Sequence, residues 1–254
     1  MKKVTLKELR NNPEYINSFL KKGNKKLTDY KDPAGVYYKY AQFNIPAKTT
    51  CPYATKDCKK FCYAKRDERF TAPKMNRIKS FQASREKNFT DRMIYTIKTE
   101  LSSKRFSGAV MILRLHESGD FYNVDYLNKW IDTINYFMSN TEYSGKIIFQ
   151  AYTKSFQFFL DLKNNDSFRY QVLCKALRSG IFALSLSYDK SMELKQAGDL
   201  FKVKASYPNV NIYAAIKESE LNNYKHDSVC DCADCSKCKK CIQTNGQTVA
   251  VAIH

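Results

Sequence analysis

No run of eighteen apolar residues occurs in this chain, so no segment is expected to span a membrane. The first residues, Met1 to Glu8, hold neither an apolar stretch nor a small-residue cleavage site, so no secretory signal is expected. There is no glycine-rich phosphate loop of the Walker or dinucleotide type. Only three histidines are present and no two are close, which disfavours a paired-histidine nuclease or relaxase. No repeat of fixed period is apparent. A cytoplasmic chain is the expectation. In a reducing compartment, its nine cysteines read as metal ligands or reactive thiols rather than as disulfides.

What the sequence does have begins with size and charge. At 254 residues and 43% apolar content it can bury a sizeable core. The net charge is +18 and lies unevenly. Residues 1–107 carry 26 Lys and Arg against 10 Asp and Glu, whereas residues 108–254 carry 17 against 15. Charge kept for solubility has no reason to divide this way; a face that neutralises phosphates does. The plain alternative is a set of solvated, lysine-rich helix faces. Nucleic acid, DNA or RNA, is the expected partner.

The hydrophobic pattern divides the chain at the same place. Residues 1–107 form a basic region: a helix over 4–27, an aromatic strand over 36–43, a cysteine-rich loop over 50–64 and helices within 74–104. Residues 108–254 alternate between strand and helix. Strands are predicted at 109–115, 146–152, 181–187, 210–216 and 248–253. Helices are predicted at 123–138 with Asn123 as N-cap, at 155–178 with a break near Asn164–Asp166, and at 190–205. Such alternation implies βαβ units. The fold class expected is α/β, a mainly parallel sheet with helices wound as a partial (β/α) barrel and carrying cysteine-rich metal-binding segments. The two regions are expected to form one integrated domain.

Two cysteine groups stand out. The first is Cys51, Cys58 and Cys62. Three thiolates on a cluster would leave one metal position open, or a fourth ligand would come from far along the chain. Lys56, Lys59 and Lys60 would lower the thiol pKa values there. The second is Cys230, Cys232, Cys235, Cys238 and Cys241. Its spacing of three from Cys232 onward matches the wrapping of a [4Fe–4S] cube. Zinc is the alternative, although zinc sites usually pair two knuckles across a longer loop. His226 could replace one of these cysteines. Cys174, between helical leucines, reads as core.

Polar groups follow the strands, where parallel α/β folds place their sites. His116, Glu117, Asp120, Tyr152, Lys154 and His254 are the candidate catalytic residues. Lys56, Lys59, Lys60, Lys65, Arg66 and Arg69 flank the first cysteine group and are the candidate phosphate contacts. Tyr37, Tyr38, Tyr40 and Phe43 would offer stacking surfaces for unpaired bases if exposed. Tyr38 and Tyr40 share a strand face, so packing in the core is the competing reading.

Taken in order, these motifs resemble the gene product 88 family of phages and mobile elements. The resemblance rests on Thr50-Cys51-Pro52 with Ala54, Cys58 and Cys62-Tyr63-Ala64. It continues through Arg114, His116, Ser118-Gly119-Asp120-Phe121-Tyr122 and Tyr152-Thr153-Lys154-Ser155, then the late cysteines and His254. It implies a phage or plasmid origin and a bacterial host cell. A looser resemblance is to radical S-adenosylmethionine enzymes, which implies that cofactor. The spacing here departs from theirs, with six residues between Cys51 and Cys58 and three before Cys62. Two functions follow from these readings. One is an iron–sulfur enzyme that processes or modifies nucleic acid. The other is a zinc-stabilised nucleic-acid-binding or replication protein without turnover.

Overall fold

The computed structural model describes residues 19–23, 27–223, 225–230 and 240–253. Among these, nine strands form one mixed, mostly parallel sheet. The strands are β1 (Lys21–Lys22), β2 (Tyr30–Lys31), β3 (Tyr37–Phe43), β4 (Ala109–Leu115), β5 (Ile147–Thr153), β6 (Phe182–Asp189), β7 (Asn211–Lys217), β8 (Ser228–Cys230) and β9 (Thr248–Ile253). The helices are α1 (Lys56–Lys60), α2 (Tyr63–Asp67), α3 (Thr71–Arg85), α4 (Phe89–Leu101), α5 (Val124–Ser139), α6 (Phe156–Asn165), α7 (Ser167–Arg178) and α8 (Leu194–Ser206). Short 3₁₀ turns complete the described chain, one of them over Lys240–Ile242.

Across the sheet the order is β1-β3-β4-β5-β6-β7-β9-β8, with β2 also pairing β3. From β3 to β8 every pairing is parallel, while β1 and β2 run antiparallel to β3. From β3 to β7 the strands lie side by side in chain order, so the sheet winds one way and has no reversal there. Right-handed crossovers then place every connecting helix on the same face. One core cluster bears this out. It joins Met111, Leu113, Phe149 and Leu184 from the strands to Met93, Trp130, Phe159, Leu173 and Leu200 from the helices.

Alternation along the strands explains the two faces. In β4, Met111, Leu113 and Leu115 join the helix-side core, and Arg114 points the other way. Arg114 pairs across to Gln42 on β3 and Gln150 on β5, so a polar row crosses the second face. Because β3 pairs with β4 along all seven residues, the basic region and the βα region share one sheet.

The strands and long helices fall close to their expected places, and Asn123 caps α5 by accepting from the Tyr126 amide at 2.8 Å. Three expectations change. Lys21–Lys22 is a strand rather than part of a helix, while residues 4–18 and 24–26 of that expected helix lie outside the described residues. The cysteine loop holds two short helices, α1 and α2, the first capped by the Thr55 hydroxyl. The aromatic strand is mostly core: Tyr40 and Phe43 are buried, and half-buried Tyr38 stacks on Tyr30 at 5.0 Å. Only Tyr37 of that set is exposed, because β1 and β2 cover the neighbouring part of the strand.

Candidate functional site at the strand ends

One cavity of about 270 Å³ opens where the parallel strands end. Cys51 and Cys58 line it from the first cysteine group, and Cys230 and Cys241 from the second. His116, Glu117, Asp120, Tyr152 and Lys154 line it as well. Residues nearly 200 positions apart in the chain thus meet around one space, which their sequence separation concealed.

The first cysteine loop is fastened there by polar contacts. Thr55 donates to Asp189 Oδ2 at 2.6 Å and accepts from the Cys58 amide at 3.2 Å. The Asp57 amide donates to Ser191 Oγ at 2.8 Å. Gln196 donates to the Tyr53 carbonyl at 2.8 Å, and the Asp120 amide to the Thr50 carbonyl at 3.1 Å. The loop is therefore tied to the segments that follow β4 and β6. On the other side, Cys230 ends β8 opposite Val251 of β9. Cys241 sits in the turn that Asn211 holds by donating to the Gln243 carbonyl at 2.5 Å.

Between these walls lies a network of two acids and a lysine. Asp120 is buried and accepts three hydrogen bonds: Thr153 Oγ1 and the Phe121 amide at 2.7 Å each, and the Lys154 amide at 2.9 Å. Burial pushes its carboxyl up to about 6 against the pull of those donors. The Lys154 ammonium pairs with Asp189 Oδ2 at 3.1 Å and donates to Ser187. Burial raises Asp189, yet Lys154, Thr55 and Ser191 outweigh it and hold the carboxyl below its usual range.

His116 directly follows β4 with φ +61°, a left-handed conformation that side chains rarely adopt outside functional sites and turns. Its Nε2 meets the Tyr126 hydroxyl at 2.8 Å, its ring packs edge-on to Phe121, and its Nδ1 has no hydrogen-bond partner. Burial, with the Arg114 charge second, pushes the imidazole down to about 3. The folded protein therefore holds fewer protons at His116 than the unfolded chain from about pH 3 to the ordinary 6.5. Stability is complete above that window and falls as pH drops through it. Asp120 acts with opposite sign between its ordinary 3.8 and about 6, over a narrower span. The two contributions offset each other between about pH 3.8 and 6, and His116→Gln, which removes only the first, should lower the slope of stability against pH in that range by up to about 1.4 kcal/mol per pH unit in urea unfolding. An unchanged slope in the variant would contradict the burial of a neutral imidazole.

The lysines of the first cysteine group do not have the role expected of them. Burial pushes Cys51 up to about 12, with the Asp120 charge adding to it. Cys58 is exposed at the cavity mouth, its thiol is raised by partial desolvation, and the cation opposing that rise is Lys154. Lys56, Lys59 and Lys60 instead point to solvent, since α1 turns its basic side outward. Lys65, Arg66 and Arg69 are at the surface as well. Phe61, Tyr63 and Phe70 stand exposed among them, with Phe70 at 65%, and the Tyr63 hydroxyl donates to the Glu117 carbonyl at the cavity. Sequence reasoning placed the stacking aromatics on β3 and missed these. The only sequence signal for them is their interleaving with Lys and Arg.

Other lining residues also escaped the sequence reading: Gln150, Ser187 and Tyr213. Period-two alternation through β5, β6 and β7 is the signal that finds them. The Arg114 guanidinium carbon lies over the Tyr152 ring at 3.8 Å, and Tyr152 meets Tyr213 edge to face at 4.7 Å. Burial, then the neighbouring Cys241, pushes the Tyr152 phenol far above its usual range.

Cys62 is near enough for its charge to bear on Cys51 and Cys58, although it does not line the cavity. Cys232, Cys235, Cys238 and His254 lie outside the described residues. His226 is described and stands apart from the cavity lining. Cys174 packs against the main core, as expected. Among the described residues, no three His, Cys, Asp or Glu side chains converge as a metal site. The donor chemistry nonetheless fits a soft metal. Thiols from two walls face one cavity, and a cation is the partner that would offset the cost of ionising them there.

The profile of the gene product 88 family matches residues 18–244. The chain belongs to the gene product 88 family. No curated protein and no solved structure matches it. The family match spans the first cysteine group, the whole polar network and the turn bearing Cys241, so every described element of this site is part of a gene product 88 protein. Among the described residues, no helix is long and apolar enough to cross a membrane.

Gly119 secures the approach of two of these elements. It has φ +89°, and a Cβ there would stand 2.3 Å from Ile45 and 2.6 Å from Thr50 Oγ1. Gly119→Ala combines left-handed strain of about 1–2 kcal/mol with displacement of the segment leading into Cys51. Urea unfolding should show a loss of at least about 2 kcal/mol. A variant as stable as the parent would mean that Thr50 does not hold the cysteine loop against the β4 end.

Proposed function

We propose that this protein binds single-stranded nucleic acid on the exposed basic and aromatic rim of α1 and α2 and processes or modifies it in the cavity beneath, with an iron–sulfur cluster held by the cysteines. The observation that carries this reading is the shared cavity: thiols from both cysteine groups, a buried acid–lysine network and Tyr63 of the rim all border one opening. The one-way winding of the sheet, with helices on one face, supports reading it as a partial barrel whose uncovered face holds the site.

Cys51, Cys58 and Cys62, completed by cysteines of the second group, are the residues that would hold the cluster. A bound [4Fe–4S] cluster would supply electron-transfer or Lewis-acid chemistry. The chain's own groups have separable tasks. Lys154 and Asp189 fix the floor and the cysteine loop. Asp120, with its carboxyl raised toward neutrality, can hold or release a proton near the thiols. The exposed Lys and Arg side chains neutralise phosphates, and Phe61, Tyr63 and Phe70 offer faces to unpaired bases. We place the protein in the cytoplasm of a bacterial host carrying a phage or mobile element.

Anaerobic purification followed by metal analysis and visible absorption tests this. The expected result is iron with acid-labile sulfide and broad brown absorption. Cys51→Ser and Cys241→Ser should each lower the iron content, because the two groups face the same space. A colourless protein containing zinc and no iron would overturn the iron–sulfur assignment and point to a zinc-stabilised binding protein.

A further inference from the structure

We infer that the floor of the cavity reads a single unpaired base, with Gln150 and Arg114 meeting its polar edge; this inference rests on the nucleic-acid reading above and names the part of the substrate that enters. Gln150 lies in the middle of β5, is only 3% exposed, and its Oε1 has no hydrogen-bond partner. A buried amide oxygen left unpaired is costly, and folded proteins rarely keep one without a use for it. Arg114 sits directly opposite Gln150 in the β4–β5 register, and its Nε is also unpartnered. His116 Nδ1 is a third such atom. All three residues line the same cavity.

The three orphaned groups restrict what can bind. An apolar ligand would leave all of them unpaired. A phosphate only accepts, so it could use the Arg114 guanidinium and the donor side of the Gln150 amide but would leave the acceptor side unpaired. The Gln150 amide offers a donor and an acceptor side by side, and turning it about its last bond presents either to the cavity. The matching partner is a planar edge that also carries both a donor and an acceptor, as nucleobases do. Tyr152 lines the cavity beside them, with the Arg114 guanidinium over its ring and Tyr213 perpendicular to it. The space, about 270 Å³ and bordered by the cysteines as well, excludes a duplex and leaves room for no more than a single base. A strand held on the rim would turn one nucleotide inward past Tyr63, which lines both rim and cavity. Enzymes that act on a base take it out of the stack in this way.

The test measures affinities of the purified full-length protein for homopolymers of about twelve deoxynucleotides, dA, dC and dT, by fluorescence anisotropy. The wild-type protein should prefer one of them by about five- to a hundredfold. Gln150→Leu, which keeps the volume and removes the unpaired polar atoms, should bring the three affinities within about twofold of one another, since the base-reading contact is gone. Gln150→Glu, which offers only acceptors, should change which base is preferred. Phe61→Ala should weaken all three alike and leave the preference intact, because stacking on the rim tolerates any base. Binding without preference in the wild type, or a preference unchanged in both Gln150 variants, would overturn the base-reading floor and leave the nucleic-acid reading standing. Absence of binding to any strand would remove the nucleic-acid reading itself.

Discussion

Alanine at Lys59, Lys60, Lys65 and Arg66 together is expected to flatten the log–log dependence of nucleic-acid affinity on salt by up to about four units. Each phosphate contact releases roughly one condensed counterion, so four lost contacts remove about that much slope. All four side chains are exposed, and none is in an ion pair with an acid among the described residues. Their charges are therefore free to meet phosphates. Affinity at low salt should fall by several orders of magnitude. The control is the same number of changes at Lys190, Lys195, Lys202 and Lys204. Two of these already pair with acids, Lys190 with Glu220 and Lys202 with Asp199. Lys204 donates to the Pro208, Val210 and Gly246 carbonyls. That set should change the slope little, although losing the Lys204 contacts will cost stability. Equal loss from both sets, or binding that ignores salt, would show that the charge asymmetry marks no binding face.

Lys154→Met should be the most destabilising single change at the site, by about 3–5 kcal/mol in denaturant unfolding. The Lys154 and Asp189 side chains are both nearly buried. Removing the ammonium leaves Asp189 charged with only hydroxyl and amide donors around it. The second variant, Lys154→Met with Asp189→Asn, should recover much of the loss, because no uncompensated charge then remains. The pair also holds Thr55, the cap of α1. Lys154→Met should accordingly lower the reactivity of the Cys58 thiol toward a disulfide reagent at fixed pH, because the cation that opposes its raised pKa is gone. If the single and double variants were equally destabilised, the pair would be acting only as packing.

Much of the fold was legible in the residues. Ala109–Leu115 reads as a strand because its apolar side chains are continuous and β-branched or large. The helix that follows announces its own start with Asn123. The alternation of such units implies a parallel sheet, and the family resemblance carried by the cysteine, Ser118-Gly119-Asp120 and Thr153-Lys154 motifs agrees with the profile match. Position after a strand marked His116, Glu117, Asp120 and Lys154 as cavity residues, and position near the cysteines marked the exposed lysines. The aromatic strand over 36–43 is where composition misled. Alternating tyrosines and lysine resemble a stacking surface, but β1 and β2 add to its edge and Tyr40 and Phe43 pack into cores.

The sequence by itself determined the periodicities, the charge division and the donor chemistry, because each of these is a property of residue type and local spacing. Only the tertiary structure decided which of these meet. Cys51 and Cys241 border one cavity because the loop after β3 and the turn before β9 meet over the sheet face that carries Arg114 and Gln150, and no local pattern encodes that meeting. The same holds for Gln150 and Arg114. Each is one polar residue in an apolar strand, and they become a pair only through the β4–β5 register. Register is fixed by burying the opposite face against the helices, where a slip of one residue would turn Leu113 and Phe149 into the cavity and the two polar side chains into the core.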